Sequence, residues 1–228
     1  MKDLELRLEI LPAAQRRLWT ELSAVPTEFV LYGGTALALH LGHRDSVDFD
    51  FFSNRALDLA ALESDIPFLK GARIIQREKN TLSAIVERNG GVKVSFFGVP
   101  GLPRLARPHV AKDNGLKIAS LIDLAGTKAS VLQMRAEAKD YIDIDALLRV
   151  GKVDLPTALA AAQRLYGPSF NPEITLKALS YFDDGDLHAL PEDMKVRLVV
   201  AAREVDLERL PDVDRLAPSR ELDQGYEL

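Results

Sequence analysis

The apolar run Phe29-Val30-Leu31-Tyr32 stops abruptly at Gly33-Gly34, and this break constrains the fold more than any other feature of the sequence. An unbroken apolar run bounded by glycine predicts a buried strand. Thr35 is placed to cap a short helix, Ala36–Leu41, that Gly42 ends. A second strand is predicted at once over Val47–Phe52, where Val47, Phe49 and Phe51 alternate with Asp48, Asp50 and Phe52. Side chains two apart on a strand share a face, so Asp48 and Asp50 stand side by side, about 7 Å apart.

Two carboxylates in that position, beside a hydrophobic core, repel one another and resist desolvation. A divalent cation removes both penalties. Mg²⁺ takes one or two protein carboxylates and completes its shell with water and substrate phosphates. Gly33-Gly34-Thr35 supplies the complement, because glycines let backbone N–H groups approach a phosphate and a helix start favours negative charge. A phosphate cradle followed closely by a metal-binding carboxylate pair is the outline of a nucleotidyl-transfer site. The alternative P-loop architecture is excluded, since G-x-x-x-x-G-K-[ST] does not occur. His40 and His43 lack metal-ligand spacing and read as structural or substrate-rim residues.

Gly33-Gly34-Thr35, Arg44, Ser46 and Asp48-Phe49-Asp50, taken with a later helix bearing Lys128 and Arg135 and the run Lys139-Asp140-Tyr141-Ile142-Asp143, carry a family resemblance. The chain resembles the nucleotidyltransferases of the AbiEii/AbiGii toxin group, within the polymerase-β-like superfamily. The resemblance implies an NTP substrate, Mg²⁺ or Mn²⁺ on Asp48 and Asp50, phosphate contacts from Gly33, Gly34, Thr35, Arg44, Ser46 and Lys128, and a supporting role for Asp140. Asp143 and Asp145 rank behind Asp140 for that role. It also implies a toxin that modifies RNA such as tRNA, encoded with a cognate antitoxin. Such enzymes commonly draw a third carboxylate from a later strand. The corresponding position here is Ser95, whose neutral hydroxyl cannot replace a carboxylate, and Asp140 is the candidate to fill that place. Ser95 also keeps two alternatives open: an NTP-binding pseudoenzyme or partner-binding module, and a small-molecule nucleotidyltransferase of the antibiotic-modifying kind.

Charge distribution bears on the partner. The net charge is −5, yet the window 70–117 holds ten basic residues against three acidic ones, +7, leaving −12 for the remainder. This asymmetry predicts a polyanion-binding face, with Arg73, Arg77, Arg88 and Lys93 as its centre. No apolar run is long enough to span a bilayer, the N-terminal MKDLELRLEI has no signal-peptide core, and the chain has no cysteine. The expected address is cytoplasmic, with no membrane partner.

The remaining pattern predicts an α+β fold: a nucleotidyltransferase-type mixed twisted sheet with flanking helices over residues 1–110, then a helical lobe over 111–228 that closes the cleft. Helices are expected over Leu11–Val25 and Ala56–Asp65, then strands over Ala72–Glu78, Leu82–Glu87 and Val92–Phe97, the last two joined by Asn89-Gly90-Gly91. Ser120 and Asp123 form a capping box for a helix reaching about Ala138, with Lys128 and Arg135 two turns apart on one face. Helices follow over Leu155–Tyr166, from Asn171-Pro172 to Phe182, and over Pro191–Leu207. The tail 211–228 is expected to be partly disordered.

Overall fold

The computed structural model describes residues 5–215. One mixed sheet organises it, and its strands are β1 (Val30–Tyr32), β2 (Asp48–Ser53), β3 (Arg73–Glu78), β4 (Thr81–Glu87), β5 (Gly91–Gly98), β6 (His109–Val110) and β7 (Lys117–Ile118). Their order across the sheet is β3-β4-β5-β2-β1-β7-β6. β2 runs antiparallel to β1 and parallel to β5, while the β4–β5 hairpin extends the sheet outward. The antiparallel addition read from the turn residues is therefore present. Asn80 and Asn89 adopt positive φ at its turns, which Asn tolerates better than other side-chain-bearing residues.

The alternation in β2 decides which face is core. Phe49 and Phe51 are fully buried and stack at 6.3 Å, and Phe51 stacks in turn on Phe96 of β5 at 5.2 Å. Trp19 covers Phe49 from the helix α1 (Ala13–Trp19). That helix was expected to run to Val25; it tightens into a 3₁₀ segment at Thr20–Ala24 instead, keeping Leu22 in the core. The expected Val47 is outside β2 and exposed, so its alternation with the Phe residues has no packing consequence. Helix α2 (Gly33–Leu41) follows β1, and α3 (Leu59–Asp65) is capped by Asp58, whose side chain accepts from the Ala61 N–H.

The helical part is α4 (Leu121–Val131), α5 (Ala138–Arg149), α6 (Leu155–Tyr166), α7 (Pro172–Ala178) and α8 (Glu192–Arg203). Residue 110, the expected end of the first lobe, lies inside β6, whose partner β7 falls beyond it. One buried core runs from Leu11 through the sheet and α4 to Leu198 and Ala202. Half of the expected capping box of α4 forms: Ser120 Oγ accepts from the Asp123 N–H, while the Asp123 carboxylate turns to the loop and accepts from the Leu105 N–H at 2.8 Å. The helix ends at Val131, not near Ala138. Met134 is 80% exposed despite its apolar character, and Arg135 sits in the reversal between α4 and α5. Lys128 and Arg135 thus do not form a row on one helix. The α7 and α8 helices are each shorter than expected, ending at Ala178 and Arg203. Of the tail, Val213 is buried and Asp214 pairs with Arg164 at 3.0 Å; residues 216–228 lie outside the described residues. Among the described residues no helix is long and apolar enough to cross a membrane.

Helices α4 and α6 approach closely because Gly126 lacks a side chain. A Cβ there would lie 2.8 Å from Leu165 Cδ1 and 2.9 Å from the Ala161 backbone. Gly126→Val is therefore expected to destabilise the protein by about 1–3 kcal/mol through overpacking. Urea denaturation checks this, and a midpoint equal to wild type would show that the helices part without cost.

Candidate active site

Alternate residues of β2 point into a cleft of about 560 Å³ between the sheet and the helices α4 and α5. Register places the same-face neighbours in three rungs across β2 and β5: Asp48 beside Lys93, Asp50 beside Ser95, and Phe52 beside Phe97. Asp48 is partly exposed, with Lys93 Nζ at 3.9 Å. Asp50 is deeper. Burial first, and then the charge of Asp48, raise its pKa, while Lys93, Lys128 and a hydrogen bond from Ser95 oppose the rise. Ser95 is fully buried and accepts from Ser83 Oγ at 3.1 Å. Ser95, the position that the family resemblance implied for a third carboxylate, thus does lie beside Asp50 in register.

The break at Gly33-Gly34 is explained by what faces it. Gly33 opens α2 at φ +74°, and a Cβ there would meet Asp50 Oδ2 at 2.8 Å. A Cβ on Gly34 would meet Arg44 Nη2 at 2.6 Å and Ser46 Oγ at 2.8 Å. The helix start, Arg44 and Ser46 therefore crowd around one point beside Asp50, a setting suited to anionic oxygens. Thr35 takes a different part from the one expected. It is buried in the first turn and its hydroxyl donates to the Asp48 carbonyl, so it fixes β2 against α2 and does not line the cleft. Tyr32 occupies the N-cap position instead.

Behind this lies a buried charge network. Arg44 donates to both Asp143 oxygens, at 2.7 and 2.8 Å, and His43 Nε2 lies 2.7 Å from Oδ1. Lys128 Nζ bridges Asp143 at 2.5 Å and Asp140 at 2.8 Å. Arg135 completes the set by donating from Nε to Asp140 Oδ2 at 2.8 Å. Burial opposes ionisation of both carboxylates, but their bonds to these partners lower the pKa of each, that of Asp143 the more. The expectation that Asp140 replaces a third carboxylate beside Asp48 and Asp50 does not fit this geometry, because both its oxygens are committed to Lys128 and Arg135. Asp143, ranked behind it, is the hub. His43, read as structural or substrate-rim, is structural here, its ring held against Asp143. The available signal for the hub was the three-residue spacing of Asp140 and Asp143, which puts both on one face of α5. Asp145 faces away and pairs with Arg197 of α8. His40 is structural, as expected: buried, its Nε2 donates to the Ala119 carbonyl, and burial lowers its pKa to about 4.

The basic window does not form one surface. Arg77 pairs with Glu63 and Arg88 with Glu21, on elements away from the cleft. Lys93 stands beside Asp48, and register through Ile85 places Arg73 on the same face further out. Among the described residues no cluster of three or more His, Cys, Asp or Glu is arranged to hold a metal, so the candidate ligand set is the pair Asp48 and Asp50.

A mixed sheet carrying a carboxylate pair next to a glycine-led helix start defines a nucleotidyltransferase. Residues 17–217 match the family described as nucleotidyl transferase AbiEii toxin, type IV TA system, and the chain belongs to that family. An uncharacterized protein of Aquifex aeolicus is 34% identical over 159 residues, covering 69% of this chain and 75% of that protein. In fold, the chain is similar to MenT4, a nucleotidyltransferase toxin of Mycobacterium tuberculosis H37Rv, with a TM-score of 0.58 at 16% identity over 86% of this chain and 83% of that one. It is similar also to a crystal structure described as a nucleotidyltransferase of H. pylori, with a TM-score of 0.52 at 21% identity over 83% and 90% of the respective chains.

The network makes a prediction about acid. The depressed pKa values of Asp140 and Asp143 mean that their stabilisation is fully present above the ordinary carboxylate pKa of about 3.9 and is lost as pH falls from there. Asp143→Asn leaves Lys128 and Arg44 without their shared partner and is expected to cost about 3–5 kcal/mol at pH 7. Its acid transition should also be shallower than that of wild type. Denaturant midpoints at pH 7, 4 and 3 check both, and equal loss at every pH would assign the effect to packing.

Proposed function

We propose that this toxin nucleotidyltransferase moves a nucleoside monophosphate from an NTP to RNA, with release of pyrophosphate, and that the reaction depends on Mg²⁺ or Mn²⁺ bound by Asp48 and Asp50. The observation that carries the reading is the strained carboxylate pair facing the bare helix start at Gly33-Gly34. The residues fit such a cation: Asp50 bears a raised pKa from burial and from Asp48, a penalty that a bound positive charge removes, and Gly33 leaves the space over Oδ2 open. Bound there, the cation supplies charge neutralisation at the reacting phosphate.

The chain's own groups do the rest. The first N–H groups of α2, with Arg44 and Ser46, receive the terminal phosphates of the NTP. Lys128 adds a fixed positive charge, and Asp140 and Asp143 hold it on station rather than acting on the substrate. Their depressed pKa values make both poor proton acceptors. The acceptor hydroxyl oxygen gives up its proton to solvent water and forms a bond to the α-phosphorus, as the bond from phosphorus to the bridging oxygen breaks and that oxygen leaves with pyrophosphate. RNA approaches along the sheet face from Lys93 and Arg73, which leaves Arg77 and Arg88 out of the contact. A cytoplasmic setting and a cognate antitoxin accompany this reading. Ser95 favours a second one, NTP binding without transfer, since its hydroxyl stands where a further carboxylate would bring negative charge.

Incubation with each α-labelled NTP, Mg²⁺ and total RNA tests the proposal, with label expected in RNA for wild type and none for Asp48→Ala or Asp50→Asn. NTP binding with no label in any acceptor would instead establish the second reading. Asp50→Asn carries a further expectation. A raised folded-state pKa means that the ionised Asp50 destabilises the metal-free protein above that pKa, and the penalty is relieved as pH falls through it. In EDTA at pH 7 the variant should melt above wild type, each 1 kcal/mol of relief being worth about 2–4 °C for a chain of this size. A lower melting temperature would make Asp50 a structural residue.

A further inference from the structure

The cleft has two chemically different ends. From Gly33 and Arg44 to Lys128 and the Asp48–Lys93 rung it is charged. Beyond the Asp50–Ser95 rung it becomes aromatic: Phe52 and Phe97 are neighbours in register with ring centroids 4.8 Å apart, and Tyr32 meets Phe52 edge-on at 5.3 Å. Both Phe rings are only half-buried, although their rung lies on the same strands whose opposite face is fully buried. Leu102, Val99 and Tyr166 of α6 complete the walls around them. Phe52 packs partly against the core, but that packing leaves both rings partly exposed to the cavity, which the core alone does not require.

We infer that this shelf binds the nucleobase of the NTP by stacking on the Phe52–Phe97 pair, a reading that rests on the nucleotidyl-transfer assignment. Spacing supports it. Successive same-face rungs are about 7 Å apart, so a phosphate held at the Asp50 rung leaves its ribose to span to the next rung and its base to lie over the rings. The other candidate occupant, a base of the acceptor, is disfavoured by the opposite end of the cleft. There the sheet continues past Lys93 to Ile85 and the exposed Arg73, an open and cationic approach suited to a polyanion. The mode of recognition also follows. Among the described lining residues there is no Asn or Gln, the side chains that grip an adenine edge in two places. Arg44, which could grip guanine, lies at the phosphate end of the cleft against Gly34, and Arg135 is bound to Asp140. Stacking tolerates every base, so the shelf admits all four NTPs and favours the larger purine rings.

Calorimetry on the full chain in Mg²⁺ tests this, with the α,β-methylene analogues of ATP, GTP, CTP and UTP, and tripolyphosphate as a base-free probe. Phe97→Leu should weaken all four nucleotides by at least about 5-fold, the low end of one base–aromatic stack. Tripolyphosphate should bind as in wild type, and Phe97→Tyr, which keeps the ring, should restore nucleotide affinity. Unchanged nucleotide binding in Phe97→Leu would overturn the proposal, as it would if the shelf served an acceptor base. Parallel loss of tripolyphosphate would overturn it too, by showing that Phe97 supports the cleft and not the base. Failure of wild type to bind any nucleotide would instead sink the nucleotidyl-transfer reading beneath it.

Discussion

A single buried carboxylate, Asp143, ties the helical part of this protein to its sheet. It receives Arg44 and His43 from the loop that follows α2 and Lys128 from α4, and its own side chain is inaccessible to water. A buried carboxylate of this kind is tolerable only with its partners in place. The constraint works in the other direction as well. Lys128, itself buried, is bound to Asp140 and Asp143 rather than free to reach solvent, and from there its charge acts on Asp50 across the cleft. The cleft therefore has a fixed positive wall facing a repelling carboxylate pair, and both depend on the same few contacts between elements far apart in the chain.

The division of the β2–β5 face into charged, carboxylate and aromatic rungs follows from strand geometry alone. One face of β2 must be core, so Phe49 and Phe51 are committed to Trp19 and Phe96. The alternate positions are then free to carry chemistry in order: Asp48, Asp50, Phe52. Parallel pairing with β5 gives each a partner, and the hydroxyl of Ser95 falls to Asp50. A carboxylate at Ser95 would have added a third negative charge to a site that already resists holding two. Gly33 and Gly34 belong to the same constraint, since any side chain there would occupy the space between the helix start, Asp50 and Arg44.

Much of this was legible before the structure. Gly-Gly after an apolar run, and D-x-D on an alternating strand, are local patterns whose geometry does not depend on distant residues. The position of Ser95 beside Asp50 came from the family resemblance, because the pairing of β5 with β2 joins strands distant in sequence. The parts that were not legible depend on chain reversals. Leu132 and Met134 continue the helical periodicity of α4, so nothing local shows that the helix stops at Val131 and lets Asp140 return to Lys128. Thr35 reads as a cap because its type suits one, yet the helix begins at Gly33 and its hydroxyl serves Asp48. The two-residue strands β6 and β7 carry no periodicity, so the sequence leaves Leu116–Ala119 open between a short strand and a docking segment and marks no strand at His109–Val110. Charge counting located a basic window but not its faces, and register then separated Lys93 and Arg73 from Arg77.

The central claim is that the α-phosphate, not the γ-phosphate, is the reacting centre at Asp48 and Asp50. Parallel reactions with the same NTP labelled at the α or the γ position, Mg²⁺ and RNA test it most directly. The account predicts α-label covalently attached to RNA and γ-label recovered only as pyrophosphate. Transfer of γ-label to the acceptor would contradict it.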